Sequence, residues 1–92
     1  MSIAAKEALN KIKAGNEQYV EDKEHVGTDK KIRESLITGQ DPYAIVLSCA
    51  DSRVVPESIF DANAGELFVL RVAGNIANTS TIASIEYAVA HL

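Results

Sequence analysis

Ala44-Ile45-Val46-Leu47-Ser48-Cys49-Ala50-Asp51-Ser52-Arg53 is the stretch on which the reading of this chain turns. Its apolar start predicts a buried strand. Residues at i, i+2 and i+4 of an extended chain point to one side, so Cys49, Asp51 and Arg53 are expected to converge above the carboxyl edge of a sheet. That edge is where open α/β sheets bind ligands. A thiolate and a carboxylate on one side are two plausible zinc ligands, and an arginine two residues on can hold the carboxylate by a fork of donors. The same spacing also suits a small buried cysteine beside a solvated loop ion pair. By spacing alone, the stretch offers half a metal site.

Toward the C-terminus, Pro56 opens a short helix over 57–62 with Glu57 at the positive end of its dipole. Asn63-Ala64-Gly65 turns the chain, and Leu67 to Val72 follows as a mostly apolar second strand. A strand, a crossover and a strand imply parallel pairing with a right-handed connection. Ala73-Gly74-Asn75 forms a tight loop at the same edge. Thr79, Ser80 or Thr81 caps a last helix in which Ile82, Ile85, Glu86 and Val89 recur near helical spacing up to His91.

Toward the N-terminus, Ser2 suits an N-cap, and Ile3, Ala8, Leu9, Ile12, Tyr19 and Val20 predict an amphipathic helix over 3–21. Gly15 weakens its middle by up to about 1 kcal/mol relative to alanine. Residues 22–28 form a charged surface loop with a solvated His25. A second helix fits 29–38, capped by Thr28 or Asp29, with Ile32, Leu36 and Ile37 inward and Gly39 at C′. Gln40-Asp41-Pro42 leads into the first strand. The fold class is therefore α/β: N-terminal helices, then a β-α-β-α unit with parallel strands. We divide it into a helical arm, 1–39, and a partial α/β zinc-site domain, 40–92, within a single domain overall. Two strands leave both sheet edges and much apolar face uncovered, so the sheet reads as incomplete.

Composition narrows the function classes. The chain has 92 residues, a formal charge of −4 and 47% apolar residues, enough for one small core. That charge leaves no basic footprint for nucleic acid or for an anionic membrane surface. The clustered cations Lys30, Lys31 and Arg33 sit among Asp29 and Glu34 as a solvated helix face. A lone cysteine excludes an intrachain disulfide and fits a reducing compartment. The first residues lack a signal-peptide core, and no apolar stretch approaches a membrane span, so the expected location is the cytoplasm.

Several linked motifs now point one way. The run Cys49-Ala50-Asp51-Ser52-Arg53-Val54 is followed by Pro56-Glu57 and Ile59-Phe60. Then come Gly65-Glu66-Leu67-Phe68-Val69-Leu70-Arg71-Val72-Ala73-Gly74-Asn75 and Ser84-Ile85-Glu86-Tyr87-Ala88-Val89. In this order they resemble a β-class carbonic anhydrase, over roughly residues 9 to 92. The resemblance implies reversible hydration of carbon dioxide to bicarbonate at zinc, with Cys49 as metal ligand. Asp51 would be either a further ligand or, held away by Arg53, the acceptor of a hydrogen bond from the reacting water; Asp51 and Arg53 would thus be the catalytic pair. It also implies a substrate pocket with Phe68, Ala73 and Tyr87 as walls and Gln40 as its polar group. The pocket would be shared between subunits of a homodimer or a higher even oligomer, the N-terminal helix embracing the neighbour.

The family's other zinc ligands lie in a Gly-His-x-x-Cys-Gly segment, and no His-x-x-Cys occurs in this sequence. The expectation is thus the N-terminal portion of such an anhydrase, with weak zinc affinity and little or no hydration by these residues alone. Two other readings stay open. One is an inactive short relative acting as a dimeric binding or scaffold protein. The other is a metal site completed across a dimer by Cys49 and Asp51 of each chain. At the level of fold alone, hydrolysis of related heterocumulenes is a further possibility.

Overall fold

Two parallel strands and the helices around them form the frame, in a computed structural model that describes residues 1–23, 25 and 27–92. The order is α1 (Ala5–Val20), α2 (Lys30–Ser35), β1 (Ala44–Ser48), α3 (Pro56–Ile59), β2 (Leu67–Arg71) and α4 (Thr79–His91). A 3-10 turn, Ala73–Asn75, joins β2 to α4. β1 and β2 pair in parallel, with Ala44 opposite Leu67 and Ser48 opposite Arg71. This is the α/β class expected of the sequence, a mixed helix and strand fold on a two-strand parallel sheet.

The strand alternation sorts side chains to two faces. Ala44, Val46, Leu67 and Val69 join Ala8, Ile12, Tyr43, Phe60 and Ala62 in one apolar cluster beneath α1. α4 packs against both strands, burying Ala88 and Thr81. Leu67 and Leu70 are buried, whereas every residue of β1 is only half-buried. The sheet carries more apolar surface than its described neighbours cover.

α1 docks on α3 through Gly15. A Cβ built there would stand 1.9 Å from the Phe60 carbonyl oxygen. Beside it, Asn16 Nδ2 donates to the Ile59 carbonyl at 3.2 Å. A glycine that costs helix propensity is therefore required by close approach of two backbones.

Several local expectations are corrected. Ser2 does not cap α1, whose N-cap is Ala4 with no side-chain bond; the Ser2 amide and hydroxyl instead donate to the Asp41 carboxylate. α2 is capped by Asp29, which accepts from the Ile32 amide, and ends at Ser35 rather than 38. Ile37 therefore leaves the helix face and is 81% exposed. α4 is capped by Asn78 in a reciprocal box with Thr81, one residue before the expected range. Pro56 does open α3, but that helix stops at Ile59, and β2 stops at Arg71.

The surface loop expected over 22–28 includes residues 24 and 26, which lie outside the described residues. His25 is exposed, as expected, and its Nδ1 sits 2.5 Å from Asp61 Oδ1 at the surface. Lys30 pairs with Glu34 at 3.7 Å across one turn, as a solvated helix face allows.

Candidate metal and substrate site

β1 ends at Ser48, and Cys49 to Val55 run on as a loop. Cys49, Asp51 and Arg53 do converge, but not by strand alternation. The chain turns instead: the Val54 amide donates to the Asp51 carbonyl at 3.1 Å, and Asp51 Oδ1 accepts the Arg53 amide at 2.9 Å. That side-chain-to-backbone bond two residues on is the Asx geometry to which short acidic side chains are suited.

The carboxylate of Asp51 is then gripped a second time by the same arginine. Arg53 Nε donates to Oδ1 at 3.0 Å and Nη2 to Oδ2 at 2.6 Å. This is the two-pronged fork that a guanidinium makes with a carboxylate. It holds the Asp51 carboxyl down to about 2, with the Arg53 amide and the Arg71 charge adding to the effect. Both oxygens accept from Arg53, the held-away one of the two arrangements that the resemblance implies.

Cys49 sits partly buried at the foot of the loop. Its sulfur accepts the Asp51 amide at 3.4 Å and the Gly74 amide at 3.3 Å. These N–H groups, Asp51 first, lower the thiol below its ordinary value by favouring the thiolate, and the Asn75 amide adds to them. Gly74 can present its amide because it adopts φ 77, where a side chain is strained. The expected tight loop at this edge is thus a sulfur cradle.

Ala73 joins the same edge, exposed beside Gly74. Phe68 and Tyr87 come together elsewhere, between β2 and α4, with ring centroids 6.3 Å apart, and Tyr87 is 52% exposed. Gln40 is not brought to the site. It lies exposed before the amino end of β1, so the length of that strand, roughly 15–20 Å at its rise per residue, separates it from Cys49. His91 lies against Tyr87 with ring centroids 5.0 Å apart and planes tilted by 42°.

Residue-by-residue reading overlooked Arg71. Its guanidinium donates to the carbonyls of Cys49 at 2.8 Å, Asp51 at 2.6 Å and Val54 at 2.7 Å. The signal available in the sequence was a lone charge closing an otherwise apolar strand. The Gly74 amide was also missed, and only its glycine hinted at it.

A cysteine sulfur whose amide partners favour the thiolate is the right kind of donor for zinc, and Asp51, two residues on, carries a carboxylate now taken up by Arg53. The donor set stops there: among the described residues no group of three or more His, Cys, Asp or Glu side chains is placed to hold a metal ion. The fit is real at Cys49 and partial as a whole. Among the described residues, no helix is long and apolar enough to cross a membrane.

Known proteins similar to this chain fall in one family. A family model described as carbonic anhydrase matches residues 44–92. Carbonic anhydrase 2 of Mycobacterium tuberculosis is 43% identical over 83 residues, covering 89% of this chain and 40% of that protein. The solved β-carbonic anhydrase CcaA superposes with a TM-score of 0.60 at 36% identity, covering 90% of this chain and 39% of the other. A structure from work on two tetrameric β-carbonic anhydrases of the ascomycete Sordaria macrospora gives a TM-score of 0.61 at 31% identity, over 91% of this chain and 40% of that one. The chain spans about two fifths of the length of the curated relative it matches.

Proposed function

This chain belongs to the β-class carbonic anhydrases, and we propose that it contributes half of a zinc site for reversible hydration of carbon dioxide to bicarbonate. The observation that carries the proposal is the Cys49 sulfur in its cradle of amides, 3.3 Å from the Gly74 nitrogen, beside a forked Asp51–Arg53 pair. Cys49 would hold the metal, and Asp51 would be a second ligand only when released from the Arg53 fork. A bound zinc ion would supply Lewis acidity, making water a usable nucleophile near neutral pH. Two donors fall short of the three that catalytic zinc sites take from protein. Histidine and cysteine ligands from outside these 92 residues would complete the set.

The roles of the chain's own residues follow. Arg53 holds the Asp51 carboxylate ionised and aimed, so that it can accept a hydrogen bond from the attacking water. Ala73 at the site edge, with Phe68 and Tyr87 paired between β2 and α4, would supply apolar walls that admit carbon dioxide. Gln40, a strand's length away in its own chain, would serve a pocket only across an interface between copies. The 46%, 52% and 67% exposed Ile82, Tyr87 and Val89 of α4 support a homodimer or a higher even oligomer. Residues 1–39 would act as a helical arm and 40–92 as the partial zinc-site domain. A reducing compartment, the cytoplasm, suits the single thiol.

Zinc uptake tests the half-site. The purified chain is titrated with zinc against a competing indicator, its solution mass is measured, and carbon dioxide hydration is followed by stopped flow. The expected result is weak uptake, abolished in Cys49→Ser, with little hydration. Equal uptake by wild type and Cys49→Ser would refute the ligand assignment. Vigorous hydration at one zinc per chain would refute the incompleteness.

A further inference from the structure

We propose that Arg71 is the positioning residue of this site: from the end of β2 it clamps the backbone of the Cys49–Val54 loop and thereby sets where the Cys49 sulfur and the Asp51 carboxylate stand. Three carbonyls of one six-residue loop, those of Cys49, Asp51 and Val54, accept from a single guanidinium at 2.8, 2.6 and 2.7 Å. A guanidinium offers several donors in a rigid plane, which an ammonium cannot copy. The Arg71 backbone sits opposite Ser48 in the parallel ladder, and the next amide, Val72, bonds the Ser48 carbonyl at 3.0 Å. The side chain is therefore anchored one residue before the loop it holds.

Division of labour between the two arginines follows from what each touches. Arg53 grips only the Asp51 side chain and that grip is itself solvent-exposed, with the Arg53 side chain 86% exposed. Such a pair is weak by itself in water. Arg71 is exposed too, so the two differ in what their side chains reach: one carboxylate for Arg53, three main-chain carbonyls for Arg71. Arg71 grips main-chain oxygens on both sides of Asp51. The amides of Asp51 and Gly74 then meet the sulfur from fixed positions, one on the clamped loop and one just past the clamping strand. Ligands oriented by outer hydrogen bonds typically lose about tenfold to a hundredfold in metal affinity when those bonds are removed.

The metal half of this inference rests on the zinc reading; the backbone half does not. The test uses amide hydrogen exchange by NMR on the metal-free 92-residue chain, for wild type, Arg71→Gln, Arg71→Lys and Arg53→Gln. In Arg71→Gln the Val54 and Gly74 amides should exchange at least about tenfold faster, while the Val72 ladder amide stays within about twofold, as local opening requires. Arg71→Lys, which keeps the charge without the fork, should not restore them, and Arg53→Gln should leave them unchanged. Uniform acceleration of all amides, no acceleration at Val54 and Gly74, or full rescue by lysine would overturn the proposal. Arg71→Lys also serves where the glutamine variant fails to fold: with lysine in place, wild-type exchange at Val54 and Gly74 refutes the clamp, and selective acceleration upholds it. Cadmium titration, read by its thiolate absorption, then separates the two halves. Wild-type binding that weakens about tenfold to a hundredfold in Arg71→Gln supports positioning, and unchanged binding refutes it. If wild type binds no cadmium while the exchange pattern holds, the zinc reading fails and the clamp stands.

Discussion

Gly15→Ala sets two opposing effects against each other, and the structure decides which wins. In an exposed helix the substitution adds about 1 kcal/mol of stability through propensity. Here the new methyl would stand 1.9 Å from the Phe60 carbonyl oxygen and 2.5 Å from its carbon. Both are backbone atoms, so no side chain can rotate away. Ordinary contact begins near 3.4 Å, so α1 and α3 must separate by about 1.5 Å. That gap stretches the Asn16–Ile59 bond, now 3.2 Å, beyond useful length, forfeiting about 1 kcal/mol. It also loosens the cluster of Ala8, Ile12 and Phe60, and overpacking of this kind costs about 1–3 kcal/mol. The net expectation is destabilisation by about 1–3 kcal/mol, a fall in Tm of roughly 5–20 °C for a domain this small. Far-UV circular dichroism melts, with urea titration alongside, provide the measurement. Ala14→Gly, exposed on the same helix, should lose about 1 kcal/mol by propensity alone. A Gly15→Ala protein as stable as wild type, or more so, would mean that α1 does not dock on α3.

Three other measurements bear on the fold and the site. Asn78→Ala removes the side-chain acceptor of the Thr81 amide, now at 3.0 Å, and should cost about 1 kcal/mol in a urea titration; no loss would show that the α4 cap is idle. In metal-free protein the Asp51 carboxyl should titrate near 2, against an ordinary 3.8, by its carbonyl carbon shift. Its depressed folded value means that it favours the fold above 3.8 and that this contribution fades as pH falls toward 2; Arg53→Gln should return the midpoint upward, and a wild-type midpoint at 3.8 would refute the fork. Gly65→Ala places a methyl 2.5 Å from Leu36 Cδ2 at a φ of +87. It should destabilise by roughly 1–3 kcal/mol, and a neutral result would show that the turn relaxes freely.

Periodicity carried most of the fold. The apolar run from Ala44 and the one from Leu67 are the two strands, and the helical spacing of Ile82, Ile85 and Val89 is α4. What periodicity could not carry were choices between equivalent partners. Ser2 satisfies every rule for a cap, yet Asp41, 39 residues away, takes its hydroxyl and amide. Ile37 has the right spacing for an inward face, but α2 stops at Ser35, so the spacing no longer applies. Asn78, Thr79, Ser80 and Thr81 are all competent caps, and only the path of the chain into α4 selects the first. Gly15 was the one informative anomaly, since a glycine in mid-helix implies a close approach that local sequence cannot name.

Side-chain chemistry at the site was legible because its parts are neighbours in sequence. Asp51 and Arg53 are two residues apart, and any turn that brings them together allows the fork. The backbone partners of that chemistry were hidden because their bonds span the chain: Gly74 reaches the Cys49 sulfur across 25 residues and Arg71 reaches Cys49 and Val54 across 22 and 17. Parallel pairing is what makes those spans short in space. Setting Ser48 opposite Arg71 delivers the ends of both strands, and both loops after them, to one edge. A thiol on the first loop then meets an amide on the second, and an arginine between them ties the first loop down. The same pairing carries Gln40 to the far end of β1, so the register that assembles the sulfur cradle also keeps the proposed polar group of the pocket out of reach within one chain. A slip of one residue in that register would turn Arg71 to the opposite face and release the loop. The apolar strands therefore matter to the site first through their register.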